Sequence, residues 1–161
     1  MSEALNILRD EFDKYDGDEE ESDVLADIGC SVDLVNDDLF HWNSTYIGPD
    51  GTGYHGGFFV LRIDIPSNYP NSPPSVHFET KIFHPNISEE TGEVCITILK
   101  PWVWKSDKRL IDVLLAIYYL LVNPNAESPL NSDAAKLYKK SDKSEYLRKC
   151  NEWVRKYAAP N

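Results

Sequence analysis

The chain has 161 residues, 42% of them hydrophobic, which is enough for one buried core and short for two. Its 27 acidic residues against 16 basic ones give a net charge of −11, which repels phosphate backbones and anionic lipid and sets nucleic acid and membrane surfaces aside as partners. The longest apolar run, Leu110 to Val122, contains Asp112 and is too short to cross a bilayer, and no secretory signal opens the sequence, so a cytoplasmic or nuclear protein is expected.

From Glu3 to Tyr15 the apolar residues Leu5, Leu8, Phe12 and Tyr15 recur three and four apart, which predicts an amphipathic helix with Ser2 as its N-cap. The acidic segment Asp16 to Asp23, with Gly17 in it, reads as a solvated loop. Strict alternation then begins, with Ile28, Cys30, Val32 and Leu34 on one face and Asp27, Gly29, Ser31 and Asp33 on the other. Two further alternating runs, Leu39 to Ile47 and Phe58 to Ile65, flank the turn-rich Gly48 to Gly57, and Val76 to Phe78 supplies a short fourth strand after four prolines. Strands joined by short turns predict an antiparallel meander with one face to cover.

The covering helices come afterwards. Asp107 is the expected cap of a helix from about Lys108 to Val122, stopped by Asn123 and Pro124. Asn131 or Ser132 caps a short helix through Lys140, and Ser141 a last one with Tyr146, Cys150, Trp153 and Tyr157 in a stripe. The layout is α+β: a helix, four strands, an irregular segment and three helices, expected to form one domain over residues 1–161.

Cysteines Cys30, Cys95 and Cys150 are odd in number and lack C-x-x-C spacing, which argues against a disulfide framework or a zinc site; reduced thiols and no metal are expected. Cys30 sits on an apolar strand face and Cys150 on a helix stripe, where a cysteine acts as a small hydrophobe. Cys95 differs. It lies among about thirty residues of little periodicity between the last strand and the long helix, the kind of segment that carries function.

Within that segment His84, Pro85 and Asn86 precede Cys95 by nine positions, counted from Asn86, and Ile98, Leu99 and Lys100 follow it, with a tryptophan shortly after. With YHGG at residues 54–57, YPNSPP at 69–74 and PNAESPL at 124–130, the chain resembles the ubiquitin-conjugating enzymes from its first helix to its last. The resemblance implies that family's fold, a four-stranded antiparallel sheet flanked by helices. It also implies that Cys95 carries ubiquitin or a ubiquitin-like protein as a thioester and passes it to a substrate lysine. Asn86 would steady the oxyanion or the surrounding loop, and His84 and Pro85 would hold that loop. The implied partners are an activating enzyme, which uses the ATP so that no cofactor is needed here, a ligase and a substrate protein, with the chain itself a monomer.

Several positions depart from the family pattern. Ser128 stands where many relatives place an Asp near the attacking amine, and phosphorylation there would restore negative charge, although between Glu127 and Pro129 it reads equally as a plain turn residue. Thr97 likewise replaces a frequent Asp, and Arg9 is the one base in LNILRDEF of the first helix, a stretch that is usually basic for contact with the activating enzyme. Asn71 and the KSDK at residues 105–108 replace the elements that commonly meet ligases. Ser31 corresponds to a serine on the sheet face opposite the cysteine, although an exposed strand serine explains it as well. Two other functions compete: an inactive modifier-binding variant of the same fold, which would lack Cys95, and a Cys-His hydrolase, for which no local signature surrounds Cys95.

Overall fold

The computed structural model describes residues 2–17 and 19–160. Helix α1, Glu3–Asp16, starts where Ser2 Oγ accepts the Leu5 amide at 3.1 Å, and it buries Ala4, Leu8, Glu11 and Tyr15. The acidic segment behind it is not the expected loop. It contains helix α2, Glu20–Asp27, whose first turn is Glu20, Glu21 and Asp23; Asp18 lies outside the described residues. Carboxylates at a helix N-terminus favour the peptide dipole, and Leu25, 2% exposed, anchors the helix on the core. Burying one leucine contributes about 2 kcal/mol, which a helix of this length needs. A single buried anchor has no periodicity, so the pattern reads as a loop.

Strands β1, Cys30–Val35, β2, Asp38–Ile47, β3, Phe58–Asp64, and β4, Ser75–Phe78, form one antiparallel sheet in chain order. The β1–β2 turn is Asn36–Asp37, with φ of 53° and 58°, the left-handed pair that a two-residue hairpin requires and that Asn and Asp tolerate. The next two strands pair from His41 opposite Asp64 to Ile47 opposite Phe58. Trp42, Tyr46, Phe59, Leu61, Ile63, Val76 and Phe78 are buried on the inner face.

Helix α3, Leu110–Val122, buries Leu110, Val113, Leu114, Ile117 and Leu121 and receives the Tyr46 hydroxyl on the Leu114 carbonyl at 2.6 Å. Asp107 does not cap it. The Arg109 amide instead donates to Asp112 Oδ2 at 2.8 Å, an acid three residues inside the helix, as in a capping box. Helix α4, Ser132–Lys139, starts with Asn131 Oδ1 accepting the Ala134 amide at 3.1 Å. Helix α5, Ser144–Trp153, runs into a wider π-type turn, Val154–Ala158. Its start is served by Asp142, whose carboxylate accepts the Ser144 amide at 2.9 Å, and not by Ser141. No helix among the described residues is long and apolar enough to cross a membrane.

Glu11 ties α1 to α3. Its Oε1 accepts from Tyr15 Oη at 2.8 Å and from the Leu110 amide at 2.8 Å, and its Oε2 accepts from Tyr69 Oη at 2.9 Å. Burial pushes its carboxyl above the usual 4.5, against the opposing pull of these donors and of Arg109. Glu11→Ala leaves a buried amide and two tyrosine hydroxyls without their acceptor and should lower the unfolding free energy by about 2–4 kcal/mol in urea titration; Glu11→Gln should cost less. Because the folded protein holds the Glu11 proton more tightly than the unfolded chain, the stability of the parent relative to Glu11→Gln should be greatest below pH 4.5 and should decline as pH rises through the elevated pKa. A difference that grows with pH would contradict the assignment.

Candidate active site

Beyond β4 the chain turns irregular and stays buried. Ile82, Phe83, His84, Pro85, Asn86 and Ile87 are all buried outside any regular ladder, so their polar groups need partners of other kinds. The Phe83 carbonyl accepts from Tyr54 Oη at 2.7 Å, and the Cys150 Sγ lies 3.5 Å from it. His84 Nε2 donates to the Leu120 carbonyl at 2.8 Å, and its Nδ1 accepts the Asn86 amide at 3.0 Å, which assigns the proton to Nε2. Its ring stacks on Tyr54, 5.8 Å between centroids. The Pro85 carbonyl accepts two amides, Leu130 at 2.8 Å and Asn131 at 3.0 Å.

Asn86 is held by its side chain as well. Its Nδ2 donates to the Asn125 carbonyl at 2.6 Å and to the Ser128 carbonyl at 3.3 Å, while its Oδ1 accepts the Asn125 amide at 2.9 Å. The chain then makes a hairpin-like excursion through Ser88–Gly92 and returns by the Ile87–Val94 bridge. Gly92, at φ 76°, packs on Phe78, and a Cβ there would stand 2.0 Å from the Phe78 carbonyl oxygen. The return brings the Cys95 amide to the Asn86 carbonyl at 2.8 Å.

Cys95 is thereby fixed by its backbone while its side chain stays half-buried. The other two thiols are buried. Burial pushes the Cys150 thiol up to about 11 and raises that of Cys30, whose Sγ lies 3.2 Å from Ser44 Oγ. A nucleophilic sulfur must be a thiolate within reach of a partner, and of the three only Cys95 has its side chain accessible. Thr97 opens a 3₁₀ turn, Thr97–Leu99, right behind it.

Of the five residues expected at the site, the fold joins His84, Pro85, Asn86 and Cys95 directly and reaches Ser128 through its carbonyl, leaving the Ser128 side chain at the exposed surface. A family model described as ubiquitin-conjugating enzyme matches residues 16–154. The chain belongs to the ubiquitin-conjugating enzyme family. The four-stranded meander with helices before and after it is the fold of these enzymes. A Plasmodium yoelii protein assigned to the ubiquitin-conjugating enzymes superposes with a TM-score of 0.81 at 32% identity, over 100% of this chain and 99% of that one. The conjugating (E2) domain of a Toxoplasma gondii enzyme gives 0.75 at 36% identity, over 86% of this chain and 96% of that one.

Two parts of this family member's site carry no side-chain signature. The Leu120 carbonyl and the main chain of Asn125 are backbone partners, and any residue type offers them. Trp104 and Trp102, close in sequence, part company: Trp104 is buried with Nε1 donating to the Pro70 carbonyl at 2.8 Å, and Trp102 is 78% exposed. No cluster of three or more His, Cys, Asp or Glu among the described residues is arranged to hold a metal.

Burial holds His84 neutral, with its pKa lowered from 6.5 to about 4 although the Leu120 carbonyl opposes the shift. The unfolded chain takes up that proton first, so this stability is present above pH 6.5 and is lost as pH falls toward 4. His84→Gln should therefore be less stable at pH 7 but should lose less of its stability than the parent between pH 6.5 and 4. Thermal unfolding at a series of pH values reads the difference; parallel curves would place the acid sensitivity elsewhere.

Proposed function

We propose that this chain accepts ubiquitin or a ubiquitin-like protein from an activating enzyme as a thioester on Cys95 and transfers it to a substrate lysine, usually with a ligase. The observation that carries the reading is that Cys95 alone of the three cysteines is not buried, and that it follows a segment in which the His84 ring and the Asn86 amide are held by hydrogen bonds. In the first step the Cys95 thiolate attacks the carbonyl of the modifier's C-terminal thioester and the activating enzyme's thiol leaves. A neutral lysine amine then attacks that carbonyl, the carbon–sulfur bond breaks, Cys95 departs as thiolate and the surplus proton passes to solvent. ATP is used upstream, so the reading calls for no cofactor, and the reducing cytoplasm or nucleus suits a free thiol. The inactive modifier-binding variant is not favoured, since Cys95 is present and reachable.

Cys30→Ser and Cys150→Ser should still form a thiol-sensitive adduct with activating enzyme, ATP and modifier, whereas Cys95→Ser should give none or a thiol-resistant oxyester. A reducible adduct on Cys95→Ser would sink the assignment. The charging rate should also fall with added salt if, as nine acidic against two basic residues in α1 and α2 suggest, the activating enzyme that serves this chain offers a basic surface to those helices.

Asn86 serves both half-reactions unequally. Its bonds to Asn125 hold the loop, and the longer bond to the Ser128 carbonyl, at 3.3 Å, is the one it can exchange for the oxyanion that forms when an amine attacks. Removal of one such donor costs on the order of a hundredfold to a thousandfold in rate. Asn86→Ala should accept modifier on Cys95 but discharge it to free lysine more slowly by that order, read by chasing pre-charged protein with lysine. Ser128→Asp should speed the same discharge at neutral pH, because a carboxylate near the amine favours its desolvation and deprotonation. Discharge of Asn86→Ala at the parent rate would leave Asn86 a loop residue only.

A further inference from the structure

Half of the sixteen basic residues of this acidic chain fall in its last thirty positions. Positions 132–161 hold eight basic against four acidic residues, in a protein of net charge −11. There a cleft of about 410 Å³ opens between α4 and α5, with Phe83, Leu137 and Trp153 as its apolar lining and Lys136, Lys140 and Lys149 around it. That volume lies within the range of about 300–1,000 Å³ typical of ligand clefts. The aromatic floor continues outward, with Phe83 and Trp153 at 5.5 Å between centroids and Trp153 and Tyr157 at 5.3 Å. The Lys149 ammonium stands 6.0 Å over the Phe83 ring. Lys140 pairs with Glu145 at 3.4 Å, but among the described residues Lys136 and Lys149 join no ion pair.

We propose that this cleft docks an acidic segment of the protein to be modified, anchored by one aromatic or large aliphatic side chain on the Phe83–Trp153 floor. The committed occupant follows from charge and shape together. Unpaired lysines around an apolar floor match a side chain that is apolar at its tip and flanked by carboxylates, the arrangement in which a buried anchor supplies most of the affinity and the surrounding charge supplies orientation. A phosphate polymer fits less well, because it carries a charge on every nucleotide and cannot space its anions away from Glu89 and Asp133, which also line the cleft, as a peptide with a few carboxylates can. The position suits an acceptor. Glu89 belongs to the excursion between Asn86 and Cys95, so a segment seated here lies at the same end of the molecule as the hairpin that carries the cysteine.

The proposal rests on the functional reading only in taking the docked protein to be the acceptor, and direct binding to the uncharged full chain separates the two. The probe is a fluorescein-labelled synthetic peptide with aspartate and glutamate on both sides of one phenylalanine, followed by anisotropy at low salt. Saturable binding is expected, weakened at least tenfold in the Lys136→Glu/Lys149→Glu double variant and at least tenfold again when the peptide's phenylalanine is replaced by alanine. Charging of Cys95 should be unchanged in the double variant, which also reports that it folds. Equal affinity for parent and double variant, no saturation at millimolar protein, or displacement of the peptide by a single-stranded oligonucleotide that binds more tightly would each overturn the proposal. If the peptide binds as expected while Cys95 never charges, the cleft stands and the conjugating function falls.

Discussion

A helix as apolar as α3 packs one face into the core, and the backbone groups at its two ends that have no partner inside the helix then take partners from the elements packed against them. Much of the molecule's polar wiring follows from that constraint. At the N-terminus the Leu110 amide donates to the Glu11 carboxylate and the Ile111 amide to Tyr15 Oη. At the C-terminus the Leu120 carbonyl, one of the last that the helix cannot satisfy, accepts from His84. The first contact fixes α1 across the sheet and the second fixes the loop that leads to Cys95. The candidate active-site segment and the fold's N-terminal helix are thus held by opposite ends of one element.

The loop answers its own version of the same constraint. Residues Phe83 to Ile87 are buried without forming a strand or helix, so no regular ladder satisfies them. They are satisfied instead by Tyr54 from the β2–β3 connection, by α3, and by the segment from Asn125 to Asn131. This makes the segment rigid at its base and leaves Cys95 as its accessible end. Cys30 and Cys150, packed into the core, contribute apolar contact, and their raised pKa values keep them thiols.

The strands were legible because alternation survives in a sheet with one buried face, and the boundaries of β2 and β3 differ from the sequence pattern by one residue. Helix α2 was not legible, because eight residues with one buried anchor and a carboxylate-rich first turn look like solvent-exposed coil. Caps were misplaced where an acid inside the helix or just before it took the role of the nearest plausible residue, as Asp112 and Asp142 do. The site's side chains stood out as a motif, but the backbone carbonyls and amides that lock them have no residue-type signature. The sequence therefore names His84, Pro85 and Asn86 as belonging together without showing that their bonds run to Leu120, Leu130 and Asn125.

Charge is arranged along the chain in a way that packing alone does not require. Helices α1 and α2 carry nine acids, of which Glu11 is buried, against two bases, and the last thirty residues carry eight bases and four acids, so α1 and α2 present one sign and the α4–α5 region the other. At physiological salt the screening length is about 8 Å, so each patch acts on whatever approaches it and the two do not cancel for a partner close to one of them. Under the proposed function one partner would load Cys95 and another unload it, and surfaces of opposite sign would steer each partner toward its own face while like-charge repulsion lowers its occupancy of the other. Net charge by itself would have hidden this, since the excess of acid at one end outweighs a base-rich end that is fully formed.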